Sequence, residues 1–211
     1  MTPTPEHSPA GPPRTLLIAC GALAREILAL IRLNGWRHME LLCLPAKLHL
    51  TPERIPAAVA RAVEENRARF DRIAVVFADC GTGGLLDAEC ARLGVERIPG
   101  PHCYSFFDGN EAFAARAEAE MRAFYLTDFL VRQFDAFVWR PMGLDRHPEL
   151  RDMIFGGYEK LVHLAQTEDP ELDAQARECA RRLGLAHERR FTGYGDLDVF
   201  LRGLDAAPLN P

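Results

Sequence analysis

Apolar positions along this chain follow two rhythms, short unbroken runs and helical spacing, and they alternate. Thr15-Leu16-Leu17-Ile18-Ala19 is an unbroken run closed by Cys20-Gly21, which predicts a strand buried on both faces. Leu23, Ile27, Leu30 and Ile31 then recur at helical spacing between Ala22 and Leu33, and Asn34-Gly35 stops that helix. Met39 to Leu44 predicts a second buried strand. Thr51-Pro52 opens a helix to about Arg69, with Thr as cap and Pro at the first helical position. Arg72 to Phe77 is the clearest strand and ends in Asp79-Cys80-Gly81-Thr82-Gly83-Gly84. The next helix runs to Leu93, where Gly94 ends it. Val95 to Ile98 predicts a short strand that leads into Pro99-Gly100-Pro101-His102-Cys103.

Beyond that point Asn110 caps a helix to about Arg122, and two more helices cover about Thr127 to Val138 and His147 to Phe155. Residues 110–157 therefore read as a helical insertion or lid, with Thr127 a plain cap. Lys160 to Ala165 is another buried strand, Pro170 to Gly184 a helix, His187 to Phe191 an edge strand and Asp196 to Leu204 a last helix. Apolar strands alternating with helices imply a parallel sheet covered on both faces. The expectation is a three-layer, Rossmann-like α/β fold with a mostly parallel sheet and a helical insertion. It forms one domain over 15–205, after a proline-rich tail over 1–14 that reads as disordered.

Composition narrows the function classes. The chain has 211 residues and a net charge of -5, which disfavours general affinity for nucleic-acid phosphates. Neither an apolar run long enough to span a bilayer nor a signal peptide is evident, so a cytoplasmic location is expected. In that reducing setting the six cysteines are not expected to form a disulfide framework. They are buried small side chains, metal ligands or reactive thiols.

Parallel topology decides among these. Residues just after each strand gather along one edge of a parallel sheet, where ligands bind. Cys20, Cys80 and Cys103 follow the first, third and fourth strands, His102 adjoins the last, and His49 follows the second in Leu48-His49-Leu50. Three thiols with one imidazole make a sound tetrahedral shell for zinc, and they would also suit an iron–sulfur cluster. The fourth ligand is His49 or His102. In an extended segment the side chains of His102 and Cys103 point apart, which favours His49 beside Cys103. A core histidine is the alternative for His49. Cys43, Cys90 and Cys179 are assigned to packing.

The Cys80-Gly81-Thr82-Gly83-Gly84 loop opens a helix, and Gly21 follows Cys20 in the same way. Free N–H groups at such starts favour an anion or thiolate and lower a cysteine's pKa. Gly21, Gly81, Thr82 and Gly83 are thus candidate cofactor contacts, with Tyr104 as an aromatic wall. Tight βα turns explain the same glycines. Asp79 is a candidate acceptor for a ligating histidine. The loop lacks the Lys-Ser/Thr of a P-loop and a full GxGxxG.

Several segments occur in an order that resembles a known family. They are Ile18-Ala19-Cys20-Gly21-Ala22-Leu23, Leu48-His49-Leu50-Thr51-Pro52-Glu53, Asp79 to Gly84, His102-Cys103-Tyr104, Tyr125-Leu126-Thr127 and Lys160-Leu161-Val162-His163-Leu164. The chain is similar over about Thr15 to Leu204 to a bacterial and archaeal family of unknown function. In that family the recurring cysteines and histidine map onto Cys20, His49, Cys80 and Cys103. Its genes often neighbour corrinoid proteins and methyltransferases, so the resemblance implies a role in or beside corrinoid-dependent one-carbon metabolism, without a defined reaction. Many relatives have His-Asp-Cys where this chain has Pro101-His102-Cys103.

Three functions are therefore expected, the first favoured. One is a metal-centred protein with zinc or an iron–sulfur centre on Cys20, His49, Cys80 and Cys103. Another is a binding module for a corrinoid, a nucleotide or a partner methyltransferase, although the chain lacks the Asp-x-His-x-x-Gly signature of a base-off corrinoid carrier. The third is a thiol enzyme that uses Cys80 with His102 as base. Whether the protein is an enzyme is left open by its sequence.

Overall fold

The computed structural model describes residues 12–207. Most of the proline-rich stretch expected to be disordered, residues 1–11, lies outside the described residues. Among the described residues seven strands form two sheets, and every strand pair is parallel. The first sheet has the order β2-β1-β3-β4, from β1 (Thr15–Cys20), β2 (Met39–Leu44), β3 (Arg72–Val76) and β4 (Glu96–Arg97). The second has the order β5-β6-β7, from β5 (Ala123–Thr127), β6 (Lys160–Ala165) and β7 (Ala186–Phe191).

Alternating side chains of β1 and β3 feed two separate cores, as a sheet covered on both faces requires. Leu17, Ala19, Ala74 and Val76 pack with α1 (Ala24–Asn34), α4 (Cys103–Asp108) and α9 (Gly195–Ala206). Leu16, Ile18, Ile73 and Val75 pack on the other face with α2 (Ile55–Asn66) and α3 (Leu85–Leu93). In the second sheet, Leu126 and Leu161 meet α6 (Asp128–Arg132), α7 (Leu150–Phe155) and α8 (Pro170–Leu183). The remaining helix, α5 (Asn110–Arg116), follows α4 directly. This is the expected three-layer, Rossmann-like α/β architecture, with the strands divided between two sheets.

Two expectations change. The stretch 110–157 was expected to be helical, yet it contains β5, which pairs with β6 along its whole length. A five-residue apolar segment between helical patterns carries no periodicity that separates strand from helix. Cys43 was assigned to packing, but it is exposed. The reason is that β2 lies at the edge of its sheet, where one flank has no neighbouring strand. Cys90 and Cys179 are buried, as expected.

Candidate functional site

The carboxyl ends of both sheets meet at a small cavity of about 60 Å³, room for a few waters. The first sheet contributes Cys20, Cys80 and Cys103 to its lining, together with His49 and His102. The second contributes Thr127, at the end of β5, and Phe129, Leu130 and Phe137 beyond it. The rings of Phe129 and Phe137 meet edge to face with centroids 5.1 Å apart. Ala22, Ala46 and Ala78 keep the remaining wall small and apolar.

Backbone geometry brings the three thiols together. Cys20 is the last residue of β1 and precedes a 3-10 turn over Gly21–Leu23. Cys80 is the one non-glycine among the described residues with left-handed backbone, at φ 50°, a conformation that must be held by its surroundings. Two hydrogen bonds hold it: the Asp79 N–H donates to Gly100 O and the Cys80 N–H to Pro101 O, both at 2.9 Å. They lock the loop after β3 to the loop after β4, and so place Cys80 beside Cys103, the first residue of α4.

Helix α4 is braced in turn. The Ser105 hydroxyl and the Asn110 carbonyl oxygen lie 2.7 Å apart, and the Asn110 side-chain amide donates to Pro99 O at 3.1 Å. Gly100 has no room for a side chain, since a Cβ there would stand 2.6 Å from Asn110 Oδ1. Gly195, at the start of α9, approaches the carbonyls of Phe106 and Phe107 so closely that a Cβ would stand 2.3 Å from each.

Electrostatics then bind the thiols into one set. Burial pushes Cys20 up to about 11, against a contact from the Ala22 N–H that lowers it. Burial and then the nearby Cys20 push Cys80 up to about 12. Cys103 is raised well above its ordinary value, first by burial and then by Cys80 and Cys20. This overturns the expectation that helix starts lower the pKa of Cys20 and Cys80. Lost solvation outweighs the dipole of a 3-10 turn three residues long. His49 is exposed at the mouth, so it is not a core histidine, and partial burial of its ring lowers its pKa. His102 is half-buried and stacks on Tyr104 with centroids 4.8 Å apart. Burial, then proximity to His49, lowers its pKa as well. Among the described residues, no group of three or more His, Cys, Asp or Glu side chains is placed to hold a metal ion.

The glycine loop serves the fold. Of the candidate cofactor contacts, Tyr104 lines the cavity, whereas Gly21, Gly81, Thr82 and Gly83 are not among its lining residues. The N–H groups expected to be free for an anion are taken by Asp79. Gly84 N–H donates to its Oδ1 at 2.8 Å and Gly83 N–H to its Oδ2 at 3.1 Å, while the Thr82 hydroxyl donates to Oδ1 at 2.6 Å. Those bonds, led by that of Thr82, hold the Asp79 carboxyl below its ordinary range. Asp79 is therefore the built-in anion of this loop and accepts no hydrogen bond from a histidine among the described residues.

Sequence reasoning missed the wall from the second sheet. Thr127 does cap α6, its hydroxyl accepting from Leu130 N–H at 3.4 Å, but it also ends a strand. The signal available was the same one used for the cysteines, a short apolar run followed at once by a capped helix.

The comparisons add a family. A family described as "Protein of unknown function (DUF1638)" matches residues 43–201, well over half of the chain. The match includes His49, Cys80, His102 and Cys103 and leaves Cys20 before its start. No curated protein and no solved structure matches the chain. No helix among the described residues is long and apolar enough to cross a membrane. With its strand-end residues gathered in one crevice and its sequence matched from β2 to α9, the chain belongs to the DUF1638 family.

Proposed function

We propose that this is a cytoplasmic metal-binding protein in which Cys20, Cys80 and Cys103, with His49 as fourth donor, hold zinc or an iron–sulfur centre. The observation that carries the reading is convergence: three thiols from three separate loops line one cavity with two histidines. Each thiol alone would pass as a small buried side chain. Together they oppose one another's ionisation, and a soft cation stabilises the thiolates where water does not reach. The donor set of three sulfurs and one nitrogen fits zinc and fits an iron–sulfur centre. His49 makes no hydrogen bond among the described residues, so its ring is available. Closing a shell would require the cysteine and histidine side chains to come closer together than they stand in the structure.

The family resemblance supplies the proposed setting, corrinoid-dependent one-carbon metabolism, with a corrinoid protein or a methyltransferase as partner. A cavity of about 60 Å³ is several times too small for a corrin ring, given that drug-sized ligands occupy about 300–1,000 Å³. In this proposal the corrinoid stays on the partner. The thiol-enzyme alternative loses support, because burial raises all three cavity thiols and leaves none poised as a thiolate.

The test is metal content and absorption of the full chain purified without oxygen. Near one zinc per chain with no visible absorption, or iron and sulfide with a broad brown absorption, supports the reading and separates its two forms. A chain that takes up neither zinc nor iron after reconstitution contradicts it.

A further inference from the structure

A second cleft is lined by residues other than those of the thiol cavity. It has a volume of about 290 Å³, and its walls include Arg25, Glu26 and Arg32 of α1, Arg132 of α6, Thr167 after β6 and Tyr194 before α9. The 3-10 turn that carries Leu23 packs against α6.

The charge in this cleft is unbalanced. Arg25 and Arg32 are seven residues apart and so share one face of α1, about 10 Å apart along its axis. Among the described residues neither forms an ion pair within 4.0 Å or a side-chain hydrogen bond, a state they share with Arg37, Arg61, Arg140 and Arg177, whereas other arginines are closely paired, such as Arg181 with Glu178 at 2.6 Å. Arg132 comes from the opposite wall and is held only loosely, 4.0 Å from Asp128 and 3.9 Å from Asp169.

Glu26 is the anomaly. It is 4% exposed, and its Oε2 has no hydrogen-bond partner among the described residues. A buried polar atom left unpaired costs about 1–3 kcal/mol, and such atoms in native proteins call for an explanation. Burial raises its pKa, against the nearby Arg132 and Arg25, which lower it.

We infer that this cleft is a binding site for a small oxyanion, a phosphate or carboxylate group clamped by Arg25, Arg32 and Arg132. Arginine forks bind both groups in bidentate fashion. Tyr194 adds a polar contact on the third side, whereas the Thr167 hydroxyl already donates to Asp128. The site does not depend on any metal at the cysteines.

The full chain would be titrated calorimetrically with inorganic phosphate, pyrophosphate and succinate at constant ionic strength, with potassium chloride as the control. Saturable binding of at least one of these anions, absent with chloride, is expected. The order of the three separates a phosphate site from a carboxylate site. Arg25→Ala combined with Arg32→Ala should weaken binding at least tenfold, while the melting temperature without anion stays unchanged because neither side chain is paired. Glu26→Gln, which removes a carboxyl group from among the arginines, should bind at least as tightly as the parent. No saturable binding to any of the three anions, or equal affinity in the double variant, would overturn the assignment.

Discussion

The two sheets end on the same crevice with opposite chemistry. At the carboxyl edge of the second sheet the ends of β5 and β6 are tied into a hydrogen-bonded network, in which, among the described residues, His163 Nδ1 alone has no hydrogen-bond partner. Asp128 and His163 are fully buried and meet at 2.9 Å, the Thr167 hydroxyl donates to Asp128 at 2.6 Å, and Gln166 accepts the Asp128 N–H at 2.8 Å. At the edge of the first sheet the corresponding positions hold Cys20, Cys80 and Cys103, free thiols that line one cavity and raise one another's pKa, with Asp79 and Arg97 also acting on Cys80. Buried polar groups that satisfy each other are structural, and they make the second edge a rigid wall. The thiols of the first edge, raised by burial and by one another, are neutral and, among the described residues, have no such network. Under the proposed function the second edge supplies stability and the first supplies binding.

The most disruptive way to probe this contrast is His163→Leu. It leaves the Asp128 carboxylate with the Thr167 hydroxyl as its remaining close side-chain donor, and losing a buried hydrogen bond to a charged group costs about 1.5–3 kcal/mol. Urea denaturation should show a loss of that size, whereas Cys80→Ser in metal-free protein should change stability by far less. Similar losses in the two variants would remove the distinction.

A smaller effect is expected from Gly195→Ala. The added methyl would press on the Phe106 and Phe107 carbonyls, at a backbone φ of 47°. The loss should exceed about 1 kcal/mol. Because α9 braces α4, the variant should also bind metal more weakly through displacement of Cys103. An unchanged denaturation midpoint would show that the two helices are not coupled in this way.

The mildest probe is acid. Burial pushes the Asp128 carboxyl up, but hydrogen bonds from His163 and Thr167 outweigh it and hold its pKa below the ordinary 3.8. A depressed carboxylate contributes stability that is present above the unfolded value and lost as the pH falls through the folded one. Stability should therefore fall as the pH drops below about 4, and Asp128→Asn should flatten that part of the curve. The same acid slope in both proteins would mean that other carboxylates dominate it.

Much of this arrangement is legible in the sequence, and the reasons for the gaps are physical. The bounds of β2, β6 and α8 follow from unbroken apolar runs and from Pro170 and Gly184. The convergence of Cys20, Cys80 and Cys103 follows from parallel topology alone, because it needs only the ends of strands. β5 is hidden because Ala123 to Thr127 is too short to declare a period. The exposure of Cys43 depends on strand order, which no local pattern contains. The role of Asp79 is hidden because a carboxylate before a glycine turn looks alike whether it meets a ligand or caps its own loop. The Asp128–His163 pair joins residues 35 positions apart, and only the pairing of β5 with β6 brings them into contact.

The central claim is that the cavity cysteines hold a metal and the helix cysteines do not. Metal per chain, measured side by side in Cys80→Ser and Cys179→Ser after identical anaerobic reconstitution, tests it most directly. Severe loss in the first with retention in the second is the predicted result, and equal retention in both would contradict the account.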